Sequence, residues 1–298
     1  MNIHSFLDNL IVKMMKAVAG KRRIFSKSIE SPSFSELMPL ISLKVPKMDG
    51  VGIYQVEAET PAGLINPAFK VQQWLGNDFP TIIYHHGNSE RPFKIRRFAR
   101  NTFFKIFINT GNPVEANLIA LCSPMHNIPV KVYQQKLTEL INFTVSFAVM
   151  AKLVEELVIQ IKANSKKPVI VSGISFGGFV TNLHRAFFDS ADTYIPMLAG
   201  SSMEKSFLES GFYELASDLV KDNPEKMKKI LNFDNEFTGN SKNNLFPLLG
   251  KHDQFVRLDS HLECYENHPV SIIERGHLTT AFSPEIMREH IFKEIRFY

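Results

Sequence analysis

Three residue types that cooperate in nucleophilic catalysis each follow an apolar stretch of this 298-residue sequence. Ser175 ends "VIVSGIS", Asp253 ends "LFPLLGKHD" and His277 ends "VSIIERGH". A serine hydroxyl is a weak nucleophile at neutral pH unless an imidazole accepts its proton, and that imidazole needs an acid to hold its tautomer. A serine, an acid and a histidine in this chain order therefore indicate a serine-dependent reaction.

The residues around Ser175 favour an exposed nucleophile over an ordinary turn. Gly173 and Gly177 flank the serine, and Gly178 follows. Glycines at these positions let a strand and a helix approach closely enough for a strained turn that presents the hydroxyl. The N-terminal N–H groups of the following helix would then face the site and favour developing negative charge.

The elements that must position these residues form an α/β pattern. Apolar strands are predicted at 79–87, 115–124, 167–175, 192–200, 243–253 and 269–277, after an antiparallel pair at 52–60 and 69–76. Helical patterns separate them, among them 137–161 and the last residues from Ser283 onwards, and 90–105 is expected to form a basic helix. Such alternation is typical of a parallel sheet covered on both faces, whose carboxyl ends gather functional groups at one edge.

The motifs at the strand ends together resemble the α/β-hydrolase superfamily. "GISFG" at 173–177 resembles its nucleophile elbow, and "HHGN" at 85–88 is similar to its oxyanion segment. "GKHD" at 250–253 resembles its acid turn, and "GH" at 276–277 its histidine turn. The resemblance covers about residues 50–298 and implies a mostly parallel sheet with helices on both faces.

The resemblance implies a role for each matching residue. Ser175 would be the nucleophile, His277 the general base and Asp253 the orienting acid. The backbone N–H groups of Phe176 and Asn88 would form the oxyanion hole.

The neighbouring His86 and Gly87 would shape the oxyanion loop and the substrate pocket. The implied activity is cleavage of a carboxylic ester or thioester through an acyl-enzyme, with no cofactor. An acyltransferase, a peptidase or a non-catalytic binding protein of the same fold remain alternatives.

Other residues compete for parts of this assignment. Glu204 follows the preceding predicted strand and is the alternative acid, with Asp234 a remoter one. His85 and His86 could suggest a metal pair, but adjacent residues in a strand point to opposite faces, so no metal site is expected.

The domain organisation follows from where the motifs lie. Residues 1–48 are expected to form an N-terminal amphipathic basic helix and a linker, and 49–298 the hydrolase domain, with a helical lid or cap inserted at about 201–243. The apolar residues of 1–28 recur at helical spacing among lysines and arginines. This helix either packs on the domain or on a second subunit of a homo-oligomer, or contacts an anionic membrane surface weakly.

The overall composition limits the kinds of molecule that the protein is expected to bind. A net charge of +4 is too small to indicate nucleic acid, and no stretch reaches the roughly 20 apolar residues that span a bilayer. Cys122 and Cys264 lie in apolar surroundings without metal-ligand spacing, which favours a reducing compartment. We therefore expect a cytoplasmic enzyme, peripheral to a membrane at most, acting on a small-molecule ester.

Overall fold

The structure is a computed structural model that describes residues 2–20, 22–95, 100–126, 128–240 and 242–295. Eleven strands form two sheets within these residues. They are β1 (Ser42–Lys44), β2 (Gly52–Gln55), β3 (Glu57–Thr60), β4 (Gly63–Ile65), β5 (Ala68–Gln73), β6 (Thr81–His85), β7 (Asn117–Cys122), β8 (Val169–Ile174), β9 (Thr193–Met197), β10 (Leu248–Gly250) and β11 (Ser271–Ile273).

The larger sheet has eight strands in the order β2-β5-β7-β6-β8-β9-β10-β11. Every neighbouring pair from β7 to β11 is parallel, whereas β5 is antiparallel to both β2 and β7. The small sheet is β1-β3-β4 and is antiparallel. The expectation of a mostly parallel sheet that begins with an antiparallel pair is confirmed.

Twelve α-helices connect and cover the strands in the described residues. They are α1 (Ile3–Ala19), α2 (Phe34–Leu37), α3 (Val130–Lys136), α4 (Leu140–Lys162), α5 (Phe176–Phe187), α6 (Met203–Leu208), α7 (Asp218–Lys221), α8 (Pro224–Leu231), α9 (Asp234–Thr238), α10 (Leu258–His261), α11 (His277–Ala281) and α12 (Pro284–Ile295). Short 3₁₀ turns lie at Met38–Leu40, Gly211–Glu214 and Glu263–Tyr265, and a π turn lies at Phe104–Ile108.

The strands are buried on both faces because successive side chains enter different cores. Ile83 and Val171 pack in the core that contains α4 and α5, whereas Ile82 and Ile170 pack in the core that contains α12. This alternation with a period of two is the geometry of an extended strand. Because these strands are parallel, the carboxyl ends of β6, β8, β10 and β11 lie at one edge of the sheet, where the candidate residues follow.

The N-terminal residues pack on the rest of the chain. Phe25, Phe34 and Leu37 are fully or almost fully buried and belong to the same core as α4 and α5. Helix α1 itself buries Asp8 and Val12. The structure therefore shows α1 packed on the rest of the chain, one of the three arrangements expected for an amphipathic helix here.

In its described residues, the segment 201–243 contains the four helices α6 to α9, in keeping with its many helix-forming residues. Its apolar side chains, among them Phe207, Met227 and Phe237, are buried in the core shared with the sheet. Because this core is continuous, the segment is firmly attached to the sheet. Its role as a lid stays a prediction.

Two local predictions are wrong. The expected strand 52–60 is broken at Val56, which is fully buried, so β2 pairs with β5 whereas β3 turns into the small sheet. The expected basic helix of 90–105 does not form over 90–95, where turns around Pro92 occur; residues 96–99 lie outside the described residues. Among the described helices, none has the length and apolar character that crossing a bilayer requires.

Candidate active site

Ser175 lies in a strained turn between β8 and α5. Its φ of 55° and ψ of −114° are in a region that costs a non-glycine residue about 1–3 kcal/mol. A Cβ atom on Gly177 would overlap the carbonyl oxygen of His85, and one on Gly173 would overlap that of Gly177. The two glycines thus permit the close approach that the turn needs, and the Ser175 N–H donates to Met197 O at 2.8 Å.

The turn brings Ser175 to the two other candidate residues. Ser175 Oγ lies 2.9 Å from His277 Nε2, and His277 Nδ1 lies 2.7 Å from Asp253 Oδ2. The Asp253 side chain is completely buried, and 13% of the His277 side chain is exposed. A neutral imidazole that donates from Nδ1 to the carboxylate has Nε2 free to accept the serine proton.

The loop after β10 fixes the Asp253 carboxylate. Its Oδ1 atom accepts hydrogen bonds from the N–H groups of Phe255 and Val256, at 2.7 and 2.8 Å, so Oδ2 remains for the histidine. The N–H of His252 donates to Arg275 O, which ties the acid loop to the turn before His277. The acid and the base therefore stand on two turns that are hydrogen bonded to each other.

The surroundings of His277 favour its protonated form. Burial alone would lower the pKa of His277, but the charge of Asp253 and its hydrogen bond outweigh this, and the charge of Asp8 adds to them. The net result is a pKa of His277 above its usual value. An imidazolium formed during a reaction is stabilised by the same charges.

The two competing acids have other partners. Glu204, at the start of α6, accepts a hydrogen bond from Asn232 at 3.0 Å, and burial raises the pKa of its carboxyl. Asp234 accepts from Ser202 Oγ at 2.6 Å and from Asn232 at 2.9 Å. Within the described residues, the carboxylate bonded to His277 Nδ1 is that of Asp253.

The candidate oxyanion groups lie on α5 and on the loop after β6. Phe176 is the first residue of α5, and the N–H groups of a first helical turn have no acceptor within the helix. Asn88 is exposed, its side chain accepts from Tyr133 Oη at 2.9 Å, and the next residue, Ser89, has a φ of 65°.

A buried carboxylate that the motifs do not include holds this loop. Glu90 accepts hydrogen bonds from the N–H of Gly87 at 3.0 Å and from the N–H of Thr102 at 2.6 Å. Burial raises the pKa of Glu90, although these donors oppose the increase. The only sequence signal was an acidic residue just after the "HHGN" segment.

His86 has a defined tautomer in the same loop. Its Nε2 accepts from the N–H of Ser123 at 3.2 Å, so its Nδ1 donates to Gly87 O at 2.6 Å. Burial lowers the pKa of His86 well below its usual value, in keeping with a neutral ring. These contacts join the loop after β6 to the residue after β7.

The expectation that His85 and His86 point apart is wrong. Strand β6 ends at His85, so His86 lies beyond the regular strand, and the two rings stack with centroids 4.8 Å apart. The His126 ring lies 4.6 Å from that of His86. Nevertheless, no group of three or more histidines, cysteines or acidic residues in the described part of the chain is arranged to hold a metal ion.

Aromatic rings form a closed circuit around the candidate residues, which we term the aromatic circuit. Successive ring centroids along it lie 3.9–5.9 Å apart. Its members in order are Phe176, Phe147, Phe143, Phe207, Phe212, Phe255 and His277. Its two ends meet at Ser175, which precedes Phe176 and is hydrogen bonded to His277. An apolar wall therefore stands beside the hydroxyl.

Comparison with known proteins identifies the fold. No protein-family model and no curated protein sequence matches the chain. Among solved structures, it is similar to acetyl xylan esterase 1 from Thermoanaerobacterium sp., with 14% identity, a TM-score of 0.54 and coverage of 89% of this chain and 98% of that one.

Two further structures are similar over most of this chain. An esterase from Pyrococcus furiosus has 15% identity and a TM-score of 0.52, covering 85% of this chain and 97% of that one. Acylaminoacyl peptidase from Pyrococcus horikoshii has 13% identity and a TM-score of 0.52, covering 84% of this chain and 43% of the peptidase. At these identities the similarity establishes the fold, and the chain has the α/β-hydrolase fold.

Proposed function

We propose that the protein is a serine hydrolase that cleaves a carboxylic ester or thioester through an acyl-enzyme on Ser175. The observation that carries the proposal is the hydrogen-bonded chain from Ser175 Oγ to His277 Nε2 and from His277 Nδ1 to Asp253 Oδ2, at 2.9 and 2.7 Å. The esterases with the same fold support the reaction class, although a fold alone does not select the substrate.

Acylation begins when the Ser175 hydroxyl transfers its proton to His277 Nε2 and Oγ bonds to the carbonyl carbon. The carbonyl oxygen becomes an oxyanion, for which the N–H groups of Phe176 and Asn88 are the proposed donors. Each such donor is worth about 3 kcal/mol of transition-state stabilisation. Asp253 keeps the imidazole in the required tautomer and stabilises the imidazolium.

Acylation ends when the tetrahedral species expels the alcohol or thiol, which receives the proton from His277 Nε2, and the acyl group stays on Ser175. Deacylation repeats these proton transfers with water as the nucleophile. Water then gives a proton to His277 Nε2 and adds to the acyl carbon. When the second tetrahedral species collapses, the carboxylic acid leaves and Ser175 regains its proton.

The aromatic circuit supports an apolar acyl group as part of the substrate. Phe147, Phe176 and Phe255 are at least 94% buried, whereas Phe143 and Phe212 are partly exposed. In the proposed enzyme the buried rings serve as an inner wall beside Ser175, and the partly exposed rings serve as the side from which the substrate enters. Aromatic side chains provide large apolar contact areas, so this wall suits a hydrocarbon chain.

We also propose that residues 1–28 contact an anionic membrane surface weakly. Five apolar residues with helical spacing are exposed on the side of α1 that faces away from the fold: Ile3, Phe6, Leu10, Met14 and Val18. Lys13 and Lys16 are exposed on the same helix, and Arg22 and Arg23 follow it. Apolar residues flanked by cations are the chemistry that an anionic lipid surface binds.

Replacement of the nucleophile tests the proposed function. Ser175→Ala removes the hydroxyl, so we expect kcat on nitrophenyl esters of graded chain length to fall by about six orders of magnitude. Labelling by a fluorophosphonate probe should disappear together with turnover. Ser165→Ala is the matched control, because Ser165 Oγ donates to Asn77 O at a distant turn.

Two results would contradict the proposal. One is a folded wild-type protein that neither labels nor turns over any ester in the series, which would indicate a binding protein. The other is ester cleavage that Ser175→Ala leaves unchanged. Adding a competing thiol or alcohol to the assay shows whether water is the acceptor, because an acyltransferase would form the exchanged ester instead of the acid.

A further inference from the structure

Helix α1 inserts a carboxylate beside the candidate histidine. Asp8 lies on the inner side of α1 and is completely buried. It comes from the segment expected to be separate from the hydrolase domain, more than 260 residues before His277 along the chain. No motif of the sequence includes it.

The Asp8 carboxylate accepts three backbone hydrogen bonds from the two turns that hold the acid and the base. Its Oδ2 accepts from the N–H of His277 at 2.8 Å and from the N–H of Gln254 at 3.1 Å. Its Oδ1 accepts from the N–H of Leu278 at 3.0 Å. Since Gln254 follows Asp253 directly, one side chain connects both turns.

Asp8 acts as the missing cap of helix α11. Capping needs a side-chain oxygen near the first N–H groups of a helix, and the residue before α11 is Gly276, which has none. A Cβ atom on Gly276 would lie 2.7 Å from Asp8 Oδ2, closer than such atoms can approach. The glycine before His277 therefore makes room for the carboxylate of another helix.

We propose that Asp8 is a positioning residue for the reaction, which holds the His277 turn against the Asp253 turn and so sets the imidazole for Ser175. This inference rests on the proposed function. The bond from His277 N–H to Asp8 fixes the backbone from which the imidazole extends, and displacements of about 1 Å can cost a hundredfold in rate. Asp8 does not contact the reacting atoms.

The charges around His277 come from two elements. Asp253 faces it from the loop after β10 and Asp8 from α1, while the uncharged Ser175 faces it from the elbow. Near these turns, the His252 ring stacks on that of His4 with centroids 6.0 Å apart, and Glu274 pairs with His252. Both carboxylates raise the pKa of His277, so loss of the Asp8 charge should lower it.

Asp8→Asn tests the proposal, because it keeps the size of the side chain but removes its charge and one acceptor. We expect kcat to fall by roughly 10- to 100-fold with little change in KM. The acid limb of kcat/KM, which follows deprotonation of His277, should move to lower pH. Histidine NMR titration in a Ser175→Ala background should show the same direction for the His277 ring.

Two further variants separate positioning from general stability. Asp8→Glu retains the charge one carbon further out, so its His277 titration should stay near that of the wild type while kcat falls. Asp192→Asn is the matched control: Asp192 accepts from the N–H of Val169 at 2.8 Å at the opposite end of β8, and its loss should leave kcat and the acid limb unchanged.

The proposal is overturned if folded Asp8→Asn keeps the wild-type kcat and His277 titration. It is also overturned if activity falls only with the folded fraction measured by circular dichroism. If Asp8→Asn does not fold, a wild-type kcat in Asp8→Glu overturns it. Because the NMR titration needs no turnover, it reports on Asp8 even if the wild type cleaves no ester, an outcome that would instead refute the proposed function.

Discussion

At the scale of the residue, the arrangement of Asp253 distinguishes it from its rivals. One carboxylate oxygen accepts two backbone N–H groups and the other faces His277 Nδ1. The Glu204 carboxylate bonds to Asn232 instead, and its Oε2 atom is buried without a partner among the described residues. Substitution of each acid in turn therefore tests which of them orients His277.

Asp253→Asn should lower kcat by about 10⁴-fold, because an amide that donates to Nδ1 places the imidazole proton on Nε2, where the serine proton must go. Glu204→Gln is the matched variant and should keep kcat within a few-fold. Steady-state kinetics on a nitrophenyl ester check both values. Equal losses in the two variants, with both folded, would contradict the assignment of Asp253 as the acid.

The candidate residues could be predicted from the sequence where a strand end marks them. Ser175, Asp253 and His277 each follow a strand, and a parallel sheet brings such positions to one edge. Asp8 and Glu90 could not be predicted, because backbone N–H groups bind them and these leave no pattern in the sequence. Their partners became known only when the loops were placed in space.

At the scale of the element, the helical segment 201–243 contributes two rings to the aromatic circuit. Phe207 lies on α6 and Phe212 in the 3₁₀ turn that follows, and both belong to the aromatic circuit. The Phe212 ring lies 5.0 Å from that of Phe255, next to His277. The segment 201–243 therefore supplies the part of the aromatic circuit that lies between Phe143 and Phe255.

Phe212→Ala should change substrate preference rather than catalysis. Removal of the ring leaves space for a longer acyl chain. We therefore expect kcat/KM for long acyl chains to rise about tenfold relative to acetate, which is the effect of fitting one or two more methylene groups of the substrate into an apolar site. A chain-length series of nitrophenyl esters measures this ratio. Tyr213→Ala, which replaces the exposed neighbour, is the control, and an unchanged ratio in Phe212→Ala would argue against an acyl-binding role.

The fold was more predictable at this scale than the boundaries of its elements. Fully apolar strands such as β6, β7 and β8 indicated a sheet buried on both faces, and the structure confirms it. The break at Val56 was not predictable, because the sequence of 52–60 is compatible with one strand. Where the strand ends depends on the packing of Val56 in the core, which the sequence does not show. Residues 90–95 likewise form turns, although the spacing of basic residues in 90–105 is compatible with a helix.

At the scale of the whole molecule, α1 has two faces of different character. Its inner face carries Asp8 and Val12 against the fold, and its outer face carries exposed apolar residues. If a membrane covers the outer face, the candidate site lies directly behind the bound helix. Substrates that partition into lipid would then be concentrated near Ser175.

The outer face of α1 is tested by a triple variant with Phe6→Ser, Leu10→Ser and Met14→Ser. Its binding to vesicles of phosphatidylserine and phosphatidylcholine should be weaker by at least about tenfold, because three apolar side chains lose their lipid contact. Cosedimentation measures the binding, which should also weaken as salt screens the lysines and arginines. A second triple variant with Val51→Ser, Ile53→Ser and Leu64→Ser, which removes exposed apolar side chains elsewhere on the surface, is the control. Equal binding by both triple variants would exclude α1 as the contact.

The capping of α11 by α1 also has a consequence for how the chain folds. The hydrogen bond from His277 to Asp8 joins residues 269 positions apart, and contacts across such separations form after local helices and hairpins, since closing long loops costs entropy. The histidine turn is therefore completed late. In a chain that has collapsed but not finished folding, the serine elbow would lack a positioned histidine, so the proposed ester cleavage would arise only in the native state.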